Sequence, residues 1–68
     1  MADIDGVAFN KAIDQCLNRY GATHTRAWME NVLEDAIRQA EGGRRPLTGM
    51  ASDLLSSYEH FNRKGKSE

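Results

Sequence analysis

The stretch RQAEGGRRPLTGM, residues 38–50, decides how this chain folds. Gly42 and Gly43 suit the left-handed residue that ends a helix. Pro46 cannot continue that helix, because it lacks an N–H and its ring clashes with the preceding turn. The stretch therefore predicts a corner between two helices, from which Leu47 re-enters the core at the start of the second helix.

The segment before this corner is the clearest predicted helix. Its apolar residues recur three and four apart, as one face of a helix requires: Met29, Val32, Leu33, Ala36, Ile37 and Ala40. Thr23 or Thr25 is the candidate N-cap, because a threonine oxygen accepts a free amide N–H at a helix start. Glu34 and Arg38 are spaced four apart and support the outer face as a weak surface pair.

The first helix is predicted over residues 5–20. Its stripe consists of Phe9, Ala12, Ile13, Cys16, Leu17 and Tyr20. Asp3 or Asp5 is the candidate cap at its start, and Gly21 suits its end. Strand-like alternation is absent from this segment.

The last helix follows the corner, with Thr48 as its predicted cap. Its stripe consists of Leu47, Met50, Ala51, Leu54, Leu55, Tyr58 and Phe61. Residues 63–68 lack apolar anchors, so they are predicted to fray as a basic tail.

The predicted fold is all-α: a small bundle of three amphipathic helices, with residues 1–68 as a single helical domain. A chain this short hides only about 60% of its unfolded surface. Three apolar stripes together with Trp28 offer more hydrophobic surface than one such bundle encloses. A homodimer that completes the bundle is therefore expected.

Composition and charge narrow the class of protein. Charged residues make up 28% of the chain and hydrophobic residues 40%, which is an ordinary globular balance. The net charge of -1 gives no global attraction to nucleic acid or membranes. The chain has a single cysteine, Cys16, and its first residues do not match a signal peptide. No apolar run approaches the length of a membrane span, so a cytoplasmic protein without membrane contact is expected.

No catalytic residue, metal site or cofactor is expected. DIDG, residues 3–6, resembles part of a calcium loop, but Met1 and Ala12 then occupy two positions that need oxygen ligands. His24 and His60 have no second ligand at helical spacing and are interpreted as surface side chains. Cys16 lies on an apolar stripe, where a thiol acts as a small hydrophobe. The chain is therefore interpreted as a protein that is not an enzyme.

The basic residues of the corner are candidates for binding a partner. GGRR, residues 42–45, has glycines and arginines that suit phosphate, yet it lacks the spacing of a P-loop. A helix end followed by an exposed basic corner is the favoured interpretation. Arg44 and Arg45 follow the carbonyl end of a helix, where cations are favoured. They are predicted to dock on an acidic partner surface.

Trp28 is the third candidate for partner binding. At about 100° per residue it lies roughly 90° from the centre of the apolar face of its helix. Tryptophan is enriched at the energetic centres of protein interfaces. The alternative is that Trp28 covers the edge of the core between the first two helices, and the sequence does not separate the two interpretations.

These features favour a protein-interaction module, such as a regulatory subunit, an adaptor, or an inhibitor of a larger protein of the kind that phages and other mobile elements encode. The alternative is a small DNA-binding regulator of helix-turn-helix type, since residues 42–68 carry five basic and three acidic side chains. Asp53 and Glu59 oppose that alternative, because acids on the third helix repel phosphate. The connection at residues 42–47 is also longer than the usual turn of that motif.

Overall fold

Three helices form the fold in the computed structural model, which describes residues 4–66 and, within that range, the side chains at all positions except 22, 65 and 66. Helix α1 spans Gly6–Tyr20, α2 spans Arg26–Glu41 and α3 spans Gly49–Lys66, with a 3-10 turn at Gly21–Thr23 between the first two. No strand occurs within the described range. The predicted all-α bundle of three helices is confirmed.

Helix α1 begins and ends where local chemistry dictates. The Asp5 carboxylate accepts hydrogen bonds from the backbone N–H groups of Val7 at 3.0 Å and Ala8 at 3.4 Å, which makes Asp5 the N-cap. The other candidate cap, Asp3, lies outside the described residues. Gly21 follows the helix with φ 70°, a left-handed conformation that glycine adopts without strain.

Helix α2 is capped by Thr25. Its hydroxyl oxygen accepts the backbone N–H of Trp28 at 3.1 Å, so one of the two predicted caps is confirmed. Thr23 plays a different part, since its hydroxyl donates to the carbonyl oxygen of Tyr20 at 3.3 Å. The cap fixes where α2 begins and therefore which side of the bundle Trp28 occupies.

The end of α2 is a Schellman motif built on the two glycines of the corner. Gly43 has φ 87°, and its N–H donates to the carbonyl of Ala40 at 3.0 Å. The N–H of Arg44 reaches back to the carbonyl of Gln39 at 2.8 Å. These bonds satisfy carbonyls that a helix end leaves free, and the chain turns at Gly42 and Gly43.

The core lies where the three apolar stripes meet. Its buried residues are Ala8, Ala12, Ile13, Cys16, Met29, Leu33, Ala36, Ile37, Leu54, Leu55 and Tyr58. Helix α3 packs against both other helices, and α1 and α3 share the more extensive contact. The hydroxyl oxygen of Tyr58 on α3 also accepts the backbone N–H of Asp5 at 3.2 Å, which attaches the start of α1 to α3.

The predicted return of Leu47 to the core is wrong. Its side chain is 88% exposed, because Leu47 precedes the first turn of α3 and helical periodicity does not extend to it. The partly buried residue of the corner is its neighbour Pro46. Thr48, the predicted cap position, directly precedes Gly49.

Helix α3 continues past Asn62 to Lys66. The fraying of residues 63–68 concerns motion and stays a prediction. None of the helices within residues 4–66 combines the length and the apolar character of a membrane span.

Candidate interaction surface

The outward side of α2 presents the most distinctive surface of the bundle. Trp28, Val32, Asp35 and Gln39 fall within about 60° of one another around the helix, at about 100° per residue. From Trp28 to Gln39 this strip runs about 16 Å along the helix, at 1.5 Å per residue. We call the strip, together with Arg44, Arg45, Pro46 and Ala51 beside it, the α2 face.

Trp28 lies at the start of the α2 face and is 42% exposed. Its ring stacks on the imidazole of His24, with 4.1 Å between ring centroids and 16° between ring planes. His24 is itself exposed, as predicted. Trp28 is thus outside the buried core and is supported from one side by another exposed ring. An aromatic ring that is already ordered loses little side-chain entropy when a partner covers it.

The second half of the α2 face is an open groove between α2, the corner and the start of α3. Its volume is about 280 Å³, and its lining consists of Val32, Asp35, Ala36, Gln39, Arg44, Arg45, Pro46 and Ala51. Four of these residues are apolar, and we call them the apolar floor: Val32, Ala36, Pro46 and Ala51. The charged side chains of Asp35, Arg44 and Arg45 supply polar contacts around that floor.

Arg45 is held by an acidic residue of α3. Its guanidinium donates to both carboxylate oxygens of Glu59, from Nη1 to Oε2 at 2.5 Å and from Nη2 to Oε1 at 2.9 Å. Hydrogen bonding from Arg45 is the main reason that the pKa of Glu59 lies below its usual range. The prediction of an exposed basic corner therefore describes Arg44 well, whereas the charge of Arg45 is largely matched by Glu59.

Of the three predicted partner-binding residues, Arg44 and Arg45 line the groove together. Trp28 shares their side of the molecule without lining the groove. No sequence pattern marks the groove itself, because Val32 and Ala36 fit the core stripe and Pro46 indicates only a break between helices. The contact between the corner and α3 had no local signal, since Arg45 and Glu59 are 14 positions apart.

The acidic residues of α3 are committed to contacts within the bundle. The hydroxyl of Tyr20 donates to the carboxylate of Asp53, and a guanidinium nitrogen of Arg19 lies 3.9 Å from the same group. Glu59 is occupied by Arg45. Both acids thus connect α3 to neighbouring segments of the chain.

Cys16 is a free, buried thiol. Burial raises its pKa, and the nearby carboxylate of Asp53 raises it further. A thiol in this environment stays protonated, which is the unreactive form. Within residues 4–66, no group of three or more His, Cys, Asp or Glu side chains is arranged to hold a metal ion.

The chain is a small three-helix bundle that carries the α2 face on one side. Comparison of the chain with protein families, with curated proteins and with solved structures gives no match. The α2 face is therefore the feature of the molecule that indicates its function.

Proposed function

We propose that this chain is a non-enzymatic protein-interaction module that binds a partner protein through the α2 face. The observation that carries the proposal is the combination of an exposed, stacked Trp28 with an apolar-floored groove on the same side of α2. Interfaces depend on a few aromatic and arginine anchors next to pockets, surrounded by polar contacts. The α2 face supplies an anchor of each kind in Trp28 and Arg44.

A small regulatory subunit, an adaptor or an inhibitor of a larger protein would use such a surface. We further propose that the protein is cytoplasmic and forms a homodimer. DNA binding by a helix-turn-helix receives less support. Arg19 and Arg45 are paired with acids of α3 and are less available to phosphate.

Affinity capture from the source cells, followed by mass spectrometry, tests the proposal. Wild-type protein is compared with Trp28→Ala and with Val7→Ala. Val7 is the matched control because it is an exposed apolar residue on α1, a helix that contributes no residue to the α2 face. We expect a specific protein to be retained by wild type and by Val7→Ala, and its recovery to fall about tenfold or more with Trp28→Ala.

Equal recovery by all three proteins, or no specific protein at all, would remove the proposal. A duplex-DNA binding assay on the wild type addresses the alternative. Saturable binding at micromolar protein concentration, weakened strongly by added salt, would favour the DNA-binding regulator instead.

A further inference from the structure

Two charges of opposite sign face the groove without partners. Across residues 4–66, no hydrogen bond or ion pair joins the side chain of Asp35 or of Arg44 to another group. Other exposed arginines are paired: Arg26 lies 2.7 Å from Asp14, Arg38 lies 3.1 Å from Glu34, and Arg45 holds Glu59. The groove therefore presents one unmatched anion and one unmatched cation above an apolar floor.

This charge arrangement favours a partner surface that carries both an acidic and a basic side chain. An acidic partner would satisfy Arg44 but would be repelled by Asp35, and a basic partner would meet the reverse conflict. A second copy of the same chain, related by a twofold axis, satisfies both charges, because every contact in such an interface is made twice with the roles exchanged.

We propose that the occupant of the groove is a second copy of this chain, with Asp35 of each copy paired to Arg44 of the other. The apolar floor is covered by the same floor of the second copy, which removes both from water. This inference rests on the proposed function for its use of the α2 face: a second copy covers the face in the homodimer, and a foreign protein binds the face in competition with that copy.

The groove is too small to be the whole of a stable interface. Eight residues line the groove, whereas a standard interface uses about 20–30 residues on each side. The interface therefore extends beyond the groove. Two large exposed apolar side chains belong to the same segments of the chain: Leu47, which follows Pro46 and is 88% exposed, and Trp28, which lies on α2.

Sedimentation velocity on the full chain, over a hundredfold dilution from high micromolar concentration, tests the pairing. Wild type is expected to sediment as a dimer that dissociates on dilution. Asp35→Lys and Arg44→Asp each place like charges together in both symmetric contacts, so each variant is expected to self-associate about tenfold or more weakly. Arg38→Asp is the control on α2: it reverses a charge that is paired with Glu34 outside the groove, and the dimer should persist.

An equimolar mixture of Asp35→Lys and Arg44→Asp provides the decisive measurement. In the mixed dimer, the lysine introduced at position 35 meets the aspartate introduced at position 44, and Arg44 of the first copy meets Asp35 of the second. Both contacts are restored, so the mixture is expected to associate more tightly than either variant alone. Helical circular dichroism on each variant verifies folding, which these exposed, unpaired positions should not disturb.

Three results would each overturn the inference: a monomeric wild type at all concentrations, single variants that associate as tightly as wild type, or a mixture that gains nothing. A monomeric wild type that still loses a captured protein on Trp28→Ala would leave the proposed function standing. A dimer rescued by mixing, with no captured protein dependent on Trp28, would establish self-association without a foreign partner.

Discussion

Arg45 and Glu59 form a two-pronged ion pair that joins the corner after α2 to the second half of α3. The two terminal nitrogens of the guanidinium engage the carboxylate, at 2.5 Å and 2.9 Å. Both side chains are partly exposed, so water screens the attraction and the pair adds little to folding. Its structural effect is to fix the direction of the corner, and with it one wall of the groove.

Arg45→Ala should lower Tm by a few degrees at pH 7, and this difference should shrink in acid. The folded-state pKa of Glu59 is depressed, chiefly by its hydrogen bonds with Arg45. The pair therefore stabilises the fold above the unfolded pKa of glutamate, about 4.3, and that contribution is lost as pH falls through the folded-state pKa. Thermal melts by circular dichroism at pH 7 and pH 3 measure the change.

Arg38→Ala is the control for that series. It removes an exposed pair within α2, between Arg38 and Glu34, without affecting the corner. Its effect on Tm should be smaller than that of Arg45→Ala. A difference between wild type and Arg45→Ala that stays constant from pH 7 to pH 3 would show that the carboxylate of Glu59 is not responsible.

Gly43→Ala should destabilise the protein, whereas Gly42→Ala should not. Gly43 has φ 87°, where a non-glycine residue costs about 1–2 kcal/mol. Gly42 has φ -86°, and an added Cβ would make an ordinary contact, 3.5 Å from the carbonyl oxygen of Gln39. Alanine there stabilises by about 0.4–1 kcal/mol, through the lower entropy of the unfolded chain. Urea unfolding gives both values, and equal effects would contradict the Schellman geometry.

Leu54→Ala and Leu47→Ala make the same chemical change in opposite environments. Leu54 is fully buried, so truncation should cost about 2–5 kcal/mol, a large part of the stability of a small domain. Leu47 is exposed, and its truncation should stay within about 0.5 kcal/mol at concentrations that keep the chain monomeric. Urea unfolding at low protein concentration measures the change in the free energy of unfolding for both variants. A large loss of stability with Leu47→Ala would show that this side chain is buried in the core.

The purified protein should contain no stoichiometric metal. The sequence has few side chains that could bind a metal, so a chelator should leave the helical circular dichroism unchanged. A protein that depends on a structural metal would instead lose helical signal when the metal is removed. Elemental analysis that finds one zinc per chain would overturn this prediction.

The helices could be predicted because their signals are local. The residues that begin or end a helix do so through bonds and backbone angles within one or two turns of their own positions: Asp5 and Thr25 at the starts, Gly21 and Gly43 at the ends. The apolar stripes depend only on the helical period. The error at Leu47 follows from the same logic, since its spacing fits the stripe of α3 although it lies before the helix begins.

The candidate surface could be predicted only in part. The exposure of Arg44 follows from its position after α2, whereas the sequence leaves Trp28 open between the edge of the core and an interface, and only the structure shows it 42% exposed. The Arg45–Glu59 pair and the groove depend on how the corner crosses α3, which is a tertiary relation that no local pattern encodes. The pairing of Tyr20 with Asp53 belongs to the same category.

Because Cys16 is buried, the reaction of its thiol with a reagent can be used to measure how often the helical bundle opens. This single thiol is 1% exposed, and its raised pKa keeps it protonated, so a thiol reagent reacts with it only after the helices separate. Where reclosing is faster than labelling, the labelling rate measures the equilibrium population of the open state under native conditions. A core truncation such as Leu54→Ala should accelerate labelling steeply, whereas Leu47→Ala should leave the labelling rate unchanged at concentrations that keep the chain monomeric; no added cysteine is needed to follow either.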